Sequence, residues 1–175
     1  MKFTDTLNLM RGEILDALEQ DFRILFVDEC LFSAKVAQRL AYSSSKNNIV
    51  ISEKMMTATP LALLAAVSVE GGLETSMIFE KSVNSQRFIE FLDKIAMMHQ
   101  GTKIAILMDN LSVHHSKVVK THMRELGFKA IFNVPYSPQY NPIELVFGLI
   151  KHRFKKLRLE KVSQNEKFIF REGIL

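Results

Sequence analysis

A single α/β domain, built on a mixed sheet flanked by helices, is the fold class this sequence predicts. Three observations predict it. Short, dense apolar runs at residues 23–27, 61–69 and 103–108 have the length and content of buried strands. Gly71 and Gly72 turn the second of these into a further run at residues 73–79, as strands joined by a tight turn do. From Asn84 onward, apolar runs alternate with segments of helical period, which sets helices against a sheet.

Taken in order, Leu7, Met10, Ile14 and Leu18 recur at near-helical spacing, so residues 1–22 read as an amphipathic helix or linker. Residues 23–27 form the first strand, with Asp28 at its exit, and residues 31–42 supply a second before the polar SSSKNN loop. Asn84 or Ser85 caps a helix whose stripe is Phe88, Phe91, Leu92 and Ile95. Residues 103–108 are a strand ending at Asp109. Ser112 caps the next helix, with Val119, His122, Met123 and Leu126 on one side and Gly127 at its end. Residues 129–134 return as a strand. A long final helix begins at Pro142 and carries Ile143, Val146, Phe147, Ile150, Phe154 and Leu157 in register.

Hydrophobic residues make up 47% of the chain and charged ones 24%, a balance that excludes a disordered polyelectrolyte. The longest apolar run is too short to cross a bilayer, and the N-terminus lacks the apolar core of a signal peptide. One cysteine, Cys30, excludes an internal disulfide and reads as a small buried filler. The net charge of +4 is concentrated. Lys151, His152, Arg153, Lys155, Lys156, Arg158 and Lys161 face Glu160 alone. Such a run either attracts a polyanion through counterion release or is a solvated helix face.

Three acids are the candidates for chemistry. Asp28 and Asp109 each follow a buried strand, where α/β sheets gather ligands at one edge. Singly, each reads first as a turn residue or helix cap. Glu144 is separated from Asp109 by 34 intervening residues and has a competing role. With Asn141 as cap and Pro142 at the first helical position, Glu144 completes a capping box. Asn110 beside Asp109 reads as an Asx turn and His114 as a surface histidine of a first helical turn. Glu29 points to the opposite side of its strand from Asp28.

Taken together, the blocks around these acids resemble the Asp–Asp–Glu (DDE) transposases of the mariner superfamily. Asp28-Glu29 with Phe32 resembles the first catalytic block, and Asp109-Asn110 with His114 the second. Pro135-Tyr136-Ser137-Pro138 followed by Asn141-Pro142-Ile143-Glu144 resembles the third and is the most specific. The resemblance spans residues 23–156. It implies an RNase H-like fold with a five-stranded mixed sheet, the catalytic domain occupying residues 23–175. It also implies two Mg2+ or Mn2+ ions, with Asp28 bridging them and Asp109 and Glu144 each holding one. The implied activity is cleavage of a DNA strand, then attack of the freed 3′-OH on target DNA. Asn110 and His114 would stand just behind the acids, and Lys151, Arg153, Lys155 and Lys156 would contact phosphates of double-stranded DNA. The joining of two transposon ends would call for a homo-oligomer, with no membrane partner. The compartment would be the nucleus in a eukaryote or the cytoplasm in a bacterium, not a secreted location.

The chain departs from the family pattern in three respects. It has no Trp, and Phe147 and Tyr42 stand where family members often carry one. Tyr140 stands where Leu is common. Only one short helix precedes Arg23, where family members carry helix-turn-helix units. The chain is accordingly a catalytic fragment, a protein whose DNA recognition is supplied by another polypeptide, or a decayed gene. The rival reading is a decayed or domesticated derivative that binds DNA or protein without cutting.

Overall fold

The computed structural model describes residues 3–33 and 59–163, together with Arg171 and Ile174. Five strands form one mixed sheet: β1 (Arg23–Phe32), β2 (Leu61–Ser68), β3 (Gly72–Glu80), β4 (Ile104–Met108) and β5 (Lys129–Phe132). The spatial order is β3-β2-β1-β4-β5, an RNase H-like sheet. The first three strands are an antiparallel meander, and β4 and β5 add to β1 in parallel. Helices α1 (Phe3–Glu19), α2 (Ser85–Met98), α3 (Ser112–His115), α4 (Lys117–Glu125) and α5 (Ile143–Ser163) flank it.

β1 is longer than its apolar run because β2 continues to pair with it. Asp28 lies opposite Ala65 and Phe32 opposite Leu61. Asp28 therefore sits inside a strand, not at its exit as the sequence suggested. On the other side, β4 pairs only with residues 23–26 of β1. Beyond Phe26 no strand among the described residues pairs with that edge of β1, and Asp28 there reaches the cleft at the end of β4. Of the second strand expected at residues 31–42, Leu31 and Phe32 belong to β1. Residues 34–42, Tyr42 included, and the SSSKNN loop lie outside the described residues.

Alternation along β1 divides the core. Leu25 and Val27 face one side with Leu64, Ile104, Ile106 and Met108, covered by Phe88, Phe91, Leu92 and Ile95 of α2 and by Val119 and Met123 of α4. Cys30 and Phe32 face the other side, where Ile143, Phe147 and Phe154 of α5 cover them. Asp28 shares the parity of Cys30 and Phe32, so its side chain emerges on the α5 side. α1 covers the remainder of that face, burying Met10 and Ala17 against Ala105, Leu107 and Ile131.

Asn84 caps α2, its Oδ1 accepting from the Arg87 amide at 3.0 Å. The helix expected from Ser112 to Gly127 is broken in two at Ser116, whose backbone is extended (φ −60°, ψ 143°). Ser112 is not its cap; Leu111 takes that position. Gly127, at φ 72°, ends α4 in the left-handed conformation that lacks a penalty only for glycine. No helix among the described residues is long and apolar enough to cross a membrane.

Candidate active site

The three acids come from three elements and line one cleft of about 390 Å³. Asp28 comes from the edge of β1 beyond Phe26, Asp109 from the end of β4, and Glu144 from the first turn of α5. The 133–138 loop after β5 forms the opposite wall.

Asp28 is the most enclosed of the three. Its Oδ1 accepts from the Glu29 amide at 2.7 Å, and its Oδ2 from Asn141 Nδ2 at a long 3.4 Å. Burial pushes its pKa up from 3.8 to about 6. The Glu29 amide opposes that rise, while the charges of Asp109 and Glu144 add to it. Asp109 moves the other way. Burial pushes it up, but a hydrogen bond from His114, another from the Leu111 amide and the neighbouring histidines outweigh that, holding it below the usual range.

His114 is not the surface histidine that its place in a first helical turn suggested. It is buried (5% exposed), packed at 4.5 Å between ring centroids against Phe88. Its Nδ1 lies 2.9 Å from Asp109 Oδ1 and 3.1 Å from the Asp109 carbonyl. Both neighbours are acceptors, so Nδ1 carries the proton. The break at Ser116 leaves α3 as a single turn whose inner face holds this histidine.

The Asx turn also belongs to a different residue. Asp109, not Asn110, makes it, through its Oδ1 and the Leu111 amide at 3.2 Å. Asn110 instead ties β4 to β5. Its Nδ2 donates to the Asn133 carbonyl at 2.5 Å, and its Oδ1 lies 3.2 Å from His115 Nε2. His115 in turn stacks on Phe132 at 4.2 Å.

Half of the expected capping box is absent. The Asn141 side chain accepts from the Ile143 amide at 3.4 Å, but the Asn141 amide donates to the Pro138 carbonyl at 2.8 Å. The short 3-10 turn Pro138–Tyr140 thus takes the donor that Glu144 would have bonded. Glu144 is exposed at the cleft, its carboxylate not committed to that cap. Glu29 does face away from Asp28, its Oε2 accepting from the Val83 amide at 3.3 Å. Cys30 is buried filler, and burial pushes its thiol pKa up.

Lys151, Lys155 and Lys156 line a second groove along α5, together with His152 and Gly148. Arg153 is exposed on α5 but does not line that groove, and Arg158 is buried. Phe147 is in the core, 2% exposed.

Sequence reasoning missed Asn133. It is 5% exposed, donates through Nδ2 to the Ser137 carbonyl at 3.0 Å and accepts from the Val134 amide at 2.8 Å. An asparagine between an apolar strand and Pro135 was the available signal, because such a polar group is buried only when bonded.

A family profile described as DDE superfamily endonuclease matches residues 23–166. The chain belongs to the DDE superfamily endonucleases. A search of curated proteins finds no match. Among solved structures, this DDE domain is similar to the catalytic domain of Mos1 mariner transposase (TM-score 0.65, 13% identity), over 97% of this chain and 76% of that one. It is also similar to a chain of the simian T-cell lymphotropic virus intasome, solved with PP2A regulatory subunit B56 gamma (TM-score 0.60, 17% identity, 87% of this chain). A third neighbour is the Mos1 paired-end complex with Mn (TM-score 0.63, 15% identity, 98% of this chain). These likenesses establish the fold. The DDE domain spans only 45% of the intasome chain and 58% of the paired-end complex chain.

Proposed function

We propose that this DDE domain is the catalytic core of a mariner-like transposase, a divalent-metal-dependent DNA endonuclease and strand transferase. The observation that carries this reading is the meeting of Asp28, Asp109 and Glu144 in one cleft of a DDE-family fold.

The donor set fits Mg2+ or Mn2+. All three acids offer hard oxygens, and such ions are usually held by one or two carboxylates completed by water and phosphate. Among the described residues, no three His, Cys, Asp or Glu side chains form a cage around a single ion. Two ions shared among three carboxylates need no such cage. Asp28 retains its proton to about pH 6 because it is buried and because Asp109 and Glu144 repel its charge. A divalent cation would reverse that repulsion. Asp28, Asp109 and Glu144 would hold the ions. Once bound, such ions stabilise charge on a phosphoryl group and lower the pKa of bound water.

The protein's own work is orientation. His114 fixes Asp109 through its Nδ1 proton, and Asn141 reaches the outer oxygen of Asp28. Asn110 and Asn133 hold the two walls at the ends of β4 and β5. Lys151, Lys155 and Lys156 would position the phosphates of duplex DNA without reading its bases. Among the structural neighbours are a Mos1 paired-end complex with a transposon end and a Mos1 strand transfer complex. On this reading the present domain cuts a DNA end to leave a 3′-OH and directs that hydroxyl at target DNA. Joining two ends then calls for an oligomer.

The test is nicking of supercoiled DNA with Mg2+ by the wild type and by Asp109→Ala and Asp28→Asn. Loss of nicking in both variants is expected. Equal activity in wild type and variants would assign the cleavage elsewhere and end the proposal.

A further inference from the structure

Tyr136 is the most exposed large hydrophobic side chain among the described residues, with 103% relative exposure, and it lines the same cleft as the three acids. Its backbone is in the left-handed region, at φ 54°. A bulky residue pays a steric penalty there, and such strain persists only where the surroundings enforce it.

The surroundings do enforce it. On either side of Tyr136 the backbone is tied down. Asn133 Nδ2 donates to the Ser137 carbonyl at 3.0 Å, and Ser137 Oγ donates to the Pro135 carbonyl at 3.1 Å. The Tyr140 amide donates to the same Ser137 carbonyl at 3.2 Å. Asn133 and Ser137 are buried, at 5% and 4% exposure. The turn is therefore anchored in the protein while its central ring stands in water.

Phe3 pairs with Tyr140 and His115 stacks on Phe132, but no aromatic or cationic partner for Tyr136 is found among the described residues. Leu111, 48% exposed, lines the same cleft. An anchored, strained turn that holds an aromatic face over a site built for phosphate chemistry is arranged for a flat external group.

We propose that Tyr136 is a stacking platform for an unpaired nucleobase of the DNA strand whose phosphate lies over the carboxylates. This rests on the reading of the cleft as a DNA-processing site and specifies its substrate. Within a duplex both faces of a base are covered by its neighbours, so only a base freed from the stack can offer one. Every base has a π-face, so the contact holds a strand in place without selecting a sequence. Tyr136 would bind and position substrate; it takes no proton. Its hydroxyl is dispensable on this account, and its ring is not.

The test uses the full chain in metal-free buffer, where binding is read without cleavage. Two DNA duplexes are compared, one with an unpaired 2-aminopurine and one fully paired. The wild type should quench the 2-aminopurine and prefer the unpaired DNA by about 5- to 100-fold, the range expected of one base–aromatic stack. Tyr136→Ala should lose the preference and the quenching, while its affinity for paired DNA and its salt dependence stay the same. Tyr136→Phe should keep both. Tyr136→Gly suits a positive φ, so its equal loss of preference would exclude misfolding as the cause. Retained preference in the Ala and Gly variants, or its loss in the Phe variant, would overturn the proposal. A wild type that binds paired DNA with no preference would overturn it while leaving the nuclease reading intact. A wild type that binds neither DNA would overturn both.

Discussion

Replacing Asp28 by Asn should make the metal-free protein more stable while abolishing its proposed activity. In the folded chain the Asp28 pKa rises from 3.8 to about 6. The folded state thus binds this proton more tightly than the unfolded chain does. The resulting stabilisation is complete below pH 3.8 and is lost as pH rises to about 6. Above that, the folded state holds a partly buried carboxylate repelled by Asp109 and Glu144. A separation of about two pH units corresponds to about 3 kcal/mol at most. Residual access to water through the cleft lowers the working figure to about 2 kcal/mol. Asn keeps the size and an acceptor for the Glu29 amide but carries no charge. For a chain of this length, that gain is roughly 4–8 °C in Tm. The assay is urea and thermal unfolding of wild type and Asp28→Asn with chelator, between pH 4 and pH 8. The two proteins should converge near pH 4 and separate through pH 6. Equal stability at pH 8, or a gap that does not change with pH, would refute the argument that Asp28 is held under electrostatic strain.

Other outcomes follow from the same geometry. Millimolar Mg2+ should raise the Tm of the wild type and leave that of Asp28→Asn unchanged; a similar rise in both would place ion binding away from Asp28. His114→Ala removes a hydrogen bond to a carboxylate and a contact with Phe88, costing about 2 kcal/mol in urea unfolding at pH 7. A protein unaffected by that change would mean that His114 does not hold Asp109. Because Asp109 is held below its usual pKa, its share of stability is present above about pH 4 and fades on further acidification, and His114→Ala should erase that dependence. Lys151→Ala with Lys155→Ala should reduce the slope of log affinity for duplex DNA against log salt by about 2, and an unchanged slope would make the α5 groove ordinary solvated surface. Asn133→Ala should cost about 1–3 kcal/mol and loosen the wall that carries Tyr136, read as faster amide exchange in the 133–138 loop.

Much of the framework is legible in the chain because it depends on local rules. Alternating and continuous apolar runs mark β2, β3 and β4, and Asn84 at the head of the Phe88–Phe91–Ile95 stripe marks α2 with its cap. The length of β1 is not local. It extends past Asp28 only because β2 supplies partners for residues 26–32, which a window centred on β1 does not contain. The break at Ser116 is likewise invisible to periodicity, since Val113, Val119 and Met123 fit a continuous helix. The inward turn of His114 depends on Asp109 and Phe88 being there to receive it.

The sequence by itself determined the fold class and the order of the blocks, because strand content and helical period are properties of neighbouring residues, and the resemblance of those blocks to the mariner superfamily is what grouped the three acids. The tertiary structure alone decided how those acids stand. Asp28 holds its proton up to about pH 6 because it is buried and faces two other carboxylates, and Asp109 gives up its own more readily because a buried histidine reaches it from a broken helix. Glu144 escapes its cap because a turn four residues earlier takes the Asn141 amide first. Charge, burial and donor supply are sums over all neighbours in space, and sequence order fixes only some of them.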